Sequence, residues 1–529
     1  VRTARWWSCV HLWGLSLRAQ KGDTHQLGWF RPAIGRCPYA FWLVCTLQQK
    51  DQTMPAATPQ IHVLPTQRSL TGLRLVVASF LLSLTAAGQA HVEGLPPPAA
   101  APAAKTTTHT LFQNVRVFNG TSATLSGPSY VLVKGNTITQ ISATPLDAAA
   151  TAGAQVIEGK GRTLMPGLID AHWHSMMAAP SLGAILGGDT RYLTAVAVAE
   201  SGRTLMRGFT TVRDVGGNVF GLKQAVDEGV VPGPRIYPSG AMISVTSGHG
   251  DFRQASDLPR RQGAPGAVGD KDGDSAIADS PDEVRMRVRE QLMRGAAHIK
   301  LTAGGGVSSP HSPLDVVTFT PAELRAATEA AGNWGTYVTV HAYTTEAVRQ
   351  AIESGVKVIE HGSLIDDETA RLMKNKGIWL SIQPFPDAMA DAFPPGSFER
   401  KKAEEVFAGN NNTYTLAKKY QLKTAFGTDV LFSAALAAQQ GSILASLNRW
   451  YTPAETLAMA TGTNGELLQL TGKRNPYPGK LGVVQVGAMA DLLLVDGNPL
   501  ENLKLIADPD RNFVVIMKDG VVYKNTVPR

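Results

Sequence analysis

Polar and apolar positions divide the chain into distinct patterns. Between residues 109 and 165 they alternate with a period of two, as in Leu111-Phe-Gln-Asn-Val-Arg-Val-Phe118 and Tyr130-Val-Leu-Val-Lys134. That period turns successive side chains to opposite faces and predicts short antiparallel strands. Asn119-Gly120 and Gly135-Asn136 supply turn chemistry beside them. The C-terminal end repeats the pattern in Asp491-Leu-Leu-Leu-Val-Asp496 and in 513–523, whose halves meet at Asp519-Gly520. Two β-rich ends around a long middle predict one small β-sandwich domain built from both termini, over 108–163 and 475–529.

The middle, 164–474, alternates short apolar runs with helical stretches, which predicts a parallel α/β fold. Ser280-Pro-Asp-Glu283, Thr320-Pro-Ala-Glu323 and Thr452-Pro-Ala-Glu455 each combine an N-cap, a proline at the first helical position and a capping-box glutamate. Strands are predicted near 164–172, 209–214, 235–243, 297–302, 336–342, 356–361, 377–383 and 422–428. Eight strands with intervening helices fit a closed (β/α)8 TIM-like barrel. A doubly wound open sheet is the alternative, weakened because no Gly-x-Gly-x-x-Gly follows the first strand.

The front of the chain differs from the rest. Residues 1–53 hold all three cysteines and five of the nine tryptophans, without sustained periodicity. Met54, Arg68 and Arg74 then precede an apolar run from Leu75 to Ala87 and the small-residue stretch Gly88-Gln-Ala90. This is the form of a secretory signal peptide, too short for a comfortable membrane span. We therefore expect 1–53 to be an over-extended gene start, 54–90 a signal peptide and 91–107 a Pro/Ala linker. The mature protein is expected to begin near His91 and to be periplasmic or secreted. A retained N-terminal membrane anchor is the alternative.

Charge supports this division. Residues 1–53 carry a net +5 and residues 54–90 a further +2, which is the whole formal +7. The remainder is near neutral, so the basic composition gives no reason to expect nucleic acid or stable membrane insertion after signal cleavage. No cysteine follows Cys45, which removes disulfides and thiolate chemistry from the mature chain.

Candidate chemistry lies at the strand ends. His172 and His174, two apart on the first strand, face the same way, as two ligands of one metal must. Further strands end at Lys300, His341, His361 and Asp429. Each alone has an ordinary structural use, but six residues of ligand type at strand ends are hard to read as coincidence.

Pro166-Gly-Leu-Ile-Asp-x-His-x-His174 resembles the first metal motif of the amidohydrolase superfamily, and the order His-x-His, Lys, His, His, Asp is that of the family. The resemblance implies a barrel with one or two metals at the C-terminal strand ends. It implies two divalent ions, expected to be zinc, held by His172, His174, His341, His361, Asp429 and a carboxylated Lys300. A hydroxide shared by the ions would attack the substrate carbonyl, and Asp429 would move the proton. The segments 299–309, Ser247-Gly-His-Gly-Asp251 and Ile359-Glu-His-Gly362 resemble the imidazolonepropionase-like branch, with its zinc Xaa-Pro dipeptidases, carboxypeptidases and ochratoxin-type amidases. There the resemblance gives His249 and Tyr343 substrate contacts. Thr344 departs from the family, which often has Gly at that place. The Gly304-Gly-Gly306 loop is read as letting the backbone pass close to the metals.

Residues 250–280 read as a long polar loop, a candidate lid, in which Arg253, Arg260 or Arg261 could hold a substrate carboxylate. His298 and His311 are given no role. The expected substrate is a small amide or dipeptide, cleaved to release a C-terminal amino acid. Cyclic-amide hydrolysis and a non-catalytic metal-binding relative are the alternatives. By resemblance a homo-oligomer is expected.

Overall fold

In the computed structural model, residues 109–253, 268–385 and 387–528 are described. The expectations for 1–107, and for Arg260 and Arg261, lie outside these residues. Among the described residues no helix is long and apolar enough to cross a membrane.

The N-terminal strands are β1 (His109–Val117), β2 (Pro128–Lys134), β3 (Thr137–Ser142), β4 (Gln155–Glu158) and β5 (Thr163–Pro166). Next come β6 (Leu168–Trp173), β7 (Phe209–Asp214) and β8 (Arg235–Pro238), paired in parallel. After short β9 (Met242–Ser244) and β10 (Ser275–Ile277) follow β11 (Ile299–Thr302), β12 (Val338–Thr344), β13 (Val358–Leu364), β14 (Trp379–Ile382) and β15 (Lys423–Phe426), also parallel.

Two seams close the ring. The Ala297 N–H donates to Pro238 O at 2.7 Å, joining β11 to β8. Between β15 and β6, the Asn464 amide donates to both Ile169 O and Phe426 O at 2.8 Å. The Asp429 N–H donates to His172 O at 2.8 Å. The eight parallel strands β6–β8 and β11–β15 thus form the expected barrel. Its strands are buried along most of their length, β6, β7 and β11 throughout, as parallel strands covered by helices must be.

The apolar run 164–172 is not one strand. Leu164 and Met165 belong to the terminal sheet, and Leu168 begins the barrel. Gly167 is the pivot, where a Cβ would lie 2.0 Å from Thr210 Oγ1. Periodicity cannot register a change of sheet inside a fully buried run. The predicted strand 235–243 likewise divides into β8 and β9, around Gly240 at φ 74°. Part of the polar stretch 250–280 is regular too: a short helix, Val268–Asp272, leads into β10.

The helix starts agree with their sequence signals. Thr320 and Thr452 form complete capping boxes with Glu323 and Glu455, and Ser280 accepts from Glu283 N. The chain returns to the terminal sheet through β16 (Leu492–Val495), antiparallel to β5, then β17 (Phe513–Lys518) and β18 (Val521–Asn525). Strands from both ends make one mixed eight-stranded sheet. It curls so that its far turns meet, Asn136 Nδ2 donating to Asp519 Oδ1 at 3.0 Å. Phe112, Val131, Leu164 and Val515 are buried inside the curl. Arg235 of β8 ties this sheet to the barrel through Asp491 (3.0 Å) and Asp519 (2.8 Å).

Candidate metal centre and active site

The barrel brings all six predicted ligand residues to one cavity of about 620 Å³ at the C-terminal strand ends. The construction begins with Asp170 on β6. Its buried carboxylate accepts from His172 N (3.0 Å), Thr428 N (3.1 Å), Thr428 Oγ1 (2.7 Å) and Gln440 Nε2 (2.9 Å). One aspartate therefore fixes the turn bearing His172 and the loop bearing Asp429. Asp214, at the end of β7, does the same for the neighbouring turn by accepting from Ser175 N at 2.6 Å. Burial pushes its pKa up to about 6.

Asp429 Oδ1 lies 3.2 Å from His172 Nε2 and 3.3 Å from His174 Nε2. His172, His361 and Asp429 offer ligand atoms that all lie within 4.8 Å of one another. His341 packs beside them, its ring centroid 4.5 Å from that of His361. Lys300 enters from β11, only 2% exposed. Burial opposes charge on Asp429, yet His172, His174 and His361 hold its carboxyl well below the usual range. Burial, then His172, pulls the His361 imidazole down to about 3, against the pull of Asp429.

The far nitrogen of each histidine decides which lone pair faces inward. His174 Nδ1 meets Gly216 O at 3.0 Å, and His361 Nδ1 meets Gln383 Oε1 at 2.6 Å. His172 Nδ1 meets Glu360 Oε2 at 2.8 Å. These partners accept, so each Nδ1 carries a proton, and Nε2 is the atom that would face a bound ion. His341 is reversed: its Nε2 donates to Gly305 O at 2.8 Å, leaving Nδ1 as the ligand atom. Four unprotonated imidazole nitrogens and a carboxylate suit a borderline divalent ion.

Two of these residues are held in left-handed backbone, His361 at φ 74° and Asp429 at φ 49°. Such residues cost on the order of 1–3 kcal/mol each and persist where the surroundings over-determine them.

The sequence reading missed Glu360, Arg213 and Gln383. Arg213 Nη2 lies 2.6 Å from Glu360 Oε1, both fully buried, and Thr339 Oγ1 donates to the same oxygen. Burial opposes the charge of Glu360, but Arg213 and His172 hold its carboxyl well below the usual range. The signal was present for Arg213 and Glu360, charged residues inside buried strands, but not for Gln383, a neutral amide just past β14. Glu360→Gln should lower divalent-metal affinity by about 10–100-fold, the usual worth of such a supporting partner. Titration of metal-free protein checks this, and unchanged affinity would remove Glu360 from the support of His172.

His249 and Tyr343 lie beside His341. Their ring centroids lie 4.3 and 4.6 Å from that of His341. Burial, then Lys300, pulls the His249 imidazole down to about 3, and burial raises the Tyr343 phenol. Arg253 lines the same cavity but is already paired: Nε and Nη2 donate to Asp251 at 2.7 and 2.6 Å. Thr344 caps the helix Thr345–Glu353, an ordinary structural use. His298 is buried under the site, stacked on Tyr337 with ring planes 13° apart. Neither of its ring nitrogens has a hydrogen-bond partner among the described residues.

A Cβ at Gly305 would lie 1.5 Å from Pro313 O, and one at Gly306 would lie 2.0 Å from His249 Nδ1. These glycines admit the returning chain and the His249 ring, while Gly305 O orients His341.

A parallel barrel carrying inward imidazoles, a buried lysine and an aspartate at its strand ends suits a metal-dependent hydrolase. Residues 163–526 match the amidohydrolase family, and the chain belongs to it. The ochratoxinase of Aspergillus niger is 30% identical over 391 residues, covering 68% of this chain and 75% of that one. The crystal structure of an amidohydrolase matches with a TM-score of 0.73 at 36% identity, covering 80% of this chain and 100% of that one. A prolidase complexed with N-methylphosphonate-L-proline matches with a TM-score of 0.72 at 32% identity, covering 79% and 100%.

Proposed function

We propose that the protein cleaves the amide bond of N-acyl or peptidyl amino acids that carry a free C-terminal carboxylate. The observation that carries the reading is the convergence of six ligand-type side chains on one apolar-walled cavity. Its lining includes Ile185, Leu431, Phe432, Phe385 and Phe407. These walls suit an apolar acyl group or side chain on either side of the scissile bond. The ochratoxinase and the prolidase point to the same bond type.

His172, His174, His341, His361, Asp429 and a carboxylated Lys300 would hold two divalent ions, zinc by donor type. Bound there, the ions would supply Lewis acidity and acidify water. Lys300 as a carbamate gives the anion that a cationic site of four imidazoles needs. Asp429, ionised and beside His172 and His174, takes a proton on its carboxylate and returns it to the leaving nitrogen. His249 and Tyr343 donate to the carbonyl oxygen as charge develops on it. The phobic walls and the buried strand ends keep bulk water from competing.

The test is a substrate panel for the zinc-loaded protein: N-acyl amino acids, the same compounds with an amidated carboxylate, and cyclic imides. Free-carboxylate substrates should be preferred by about tenfold or more, since a site built to bind a polar group discriminates against its absence. Efficient turnover of the amidated compounds, or of cyclic imides alone, would overturn the assignment.

A further inference from the structure

We propose that Ser309 and Lys402 are positioning residues for His249, fixing its place and its tautomer so that Nε2–H faces the carbonyl oxygen of the substrate. The inference rests on the amide-hydrolase reading of the cavity.

We infer the tautomer from the partners of Ser309. Ser309 Oγ lies 2.8 Å from His249 Nδ1 and 3.0 Å from Gly250 N. The Gly250 N–H can only donate, so Oγ accepts there. A serine hydroxyl has one proton to give. Among the described residues the acceptor within its reach is His249 Nδ1. Nδ1 is then the acceptor of the neutral ring, and the ring proton sits on Nε2. That atom is on the ring edge opposite Ser309 and makes no hydrogen bond to a described residue, and His249 lines the cavity.

The position follows from two further contacts. Gly306 brings bare backbone against the imidazole, where a Cβ would lie 2.0 Å from Nδ1. Lys402, on the helix Phe398–Tyr420, holds the same loop from behind. It is 4% exposed, and Nζ donates to Gly306 O (2.7 Å), Ser309 O (2.8 Å) and Ser312 O (3.2 Å). Three carbonyls of one loop therefore use all three donors of one ammonium. Burying a cation among neutral carbonyls is costly, and here it ties the loop that carries Gly306 and Ser309 to the helix that carries the cavity-wall residue Phe407.

The experiment reads the tautomer directly. Full-length, zinc-loaded protein labelled with 15N-histidine is observed by NMR, with the His249 signals assigned by their loss in His249→Gln. The native ring should show Nδ1 unprotonated and Nε2 protonated. Ser309→Ala should show both tautomers. Its kcat on an N-acyl amino acid should fall about tenfold or more, within the ~10²–10³-fold that removal of a whole oxyanion donor costs. KM should stay within about twofold, since the contact is made to developing charge. Ser309→Thr, which keeps the hydroxyl, should restore the native tautomer. Lys402→Met should give a heterogeneous His249 signal and a similar loss of kcat.

A native His249 protonated on Nδ1 overturns the proposal without any variant. So does Ser309→Ala with unchanged tautomer and kcat. The predicted tautomer in a native protein that turns over no acylated amino acid would instead refute the hydrolase reading.

Discussion

Asp429→Asn should leave a folded, metal-loaded protein whose kcat is lower by about 10²–10⁴-fold, the range for losing a positioned acid–base group. The substitution is mild everywhere except in proton transfer. Asn tolerates left-handed backbone better than most residues, so φ 49° at this position is no obstacle. The amide oxygen can occupy the place of Oδ1, 3.2–3.3 Å from His172 and His174 Nε2. What the amide lacks is a basic oxygen to take a proton from water and give it to the leaving nitrogen. Metal analysis and thermal unfolding should be close to native while turnover collapses. Near-native kcat would mean that the proton travels by another route.

Lys300→Ala should cost more than the roughly 100-fold expected from losing a mere supporting partner of a metal site. The side chain is 2% exposed and shares the cavity with five imidazoles. Burial pulls its pKa down from the ordinary lysine range to about 8, against the pull of Glu360 and Asp429. The neutral amine is the form that adds CO2, so carboxylation of metal-free protein should quicken as pH rises through about 8. An alanine leaves space for a small acid, and acetate or propionate should restore part of the activity. Full activity without any added acid would end the idea that Lys300 supplies an anion to the site.

The six candidate ligands were legible because they are polar residues on, or just beyond, five separate apolar strands. The barrel was legible for a related reason, since eight buried runs alternate with well-capped helices. Three kinds of feature were not. The switch of sheets at Gly167 is invisible because Leu164–Ile169 is buried on both sides of it. Pairings across the barrel, such as Arg213 with Glu360, join residues 147 apart and leave no local pattern. Arg253 read as a spare cation near the site, but Asp251, two residues before it, already engages it. The reach of Lys402 to a loop about 90 residues earlier likewise needs the fold to be seen.

The pairing of β5 with β16 sets the order in which this protein can be completed. Thr163 Oγ1 finds its acceptor, Gly497 O, 334 residues later. At about 5–20 residues per second, a ribosome needs on the order of 20–60 s to make that stretch. Throughout that interval β5 has an open edge, and Leu164 and Met165, fully buried in the finished protein, have no β16 to cover them. An apolar edge left unpaired is a template for joining another chain. The whole barrel must emerge before its terminal domain can close, so the nascent chain needs shielding at its beginning until its end is made.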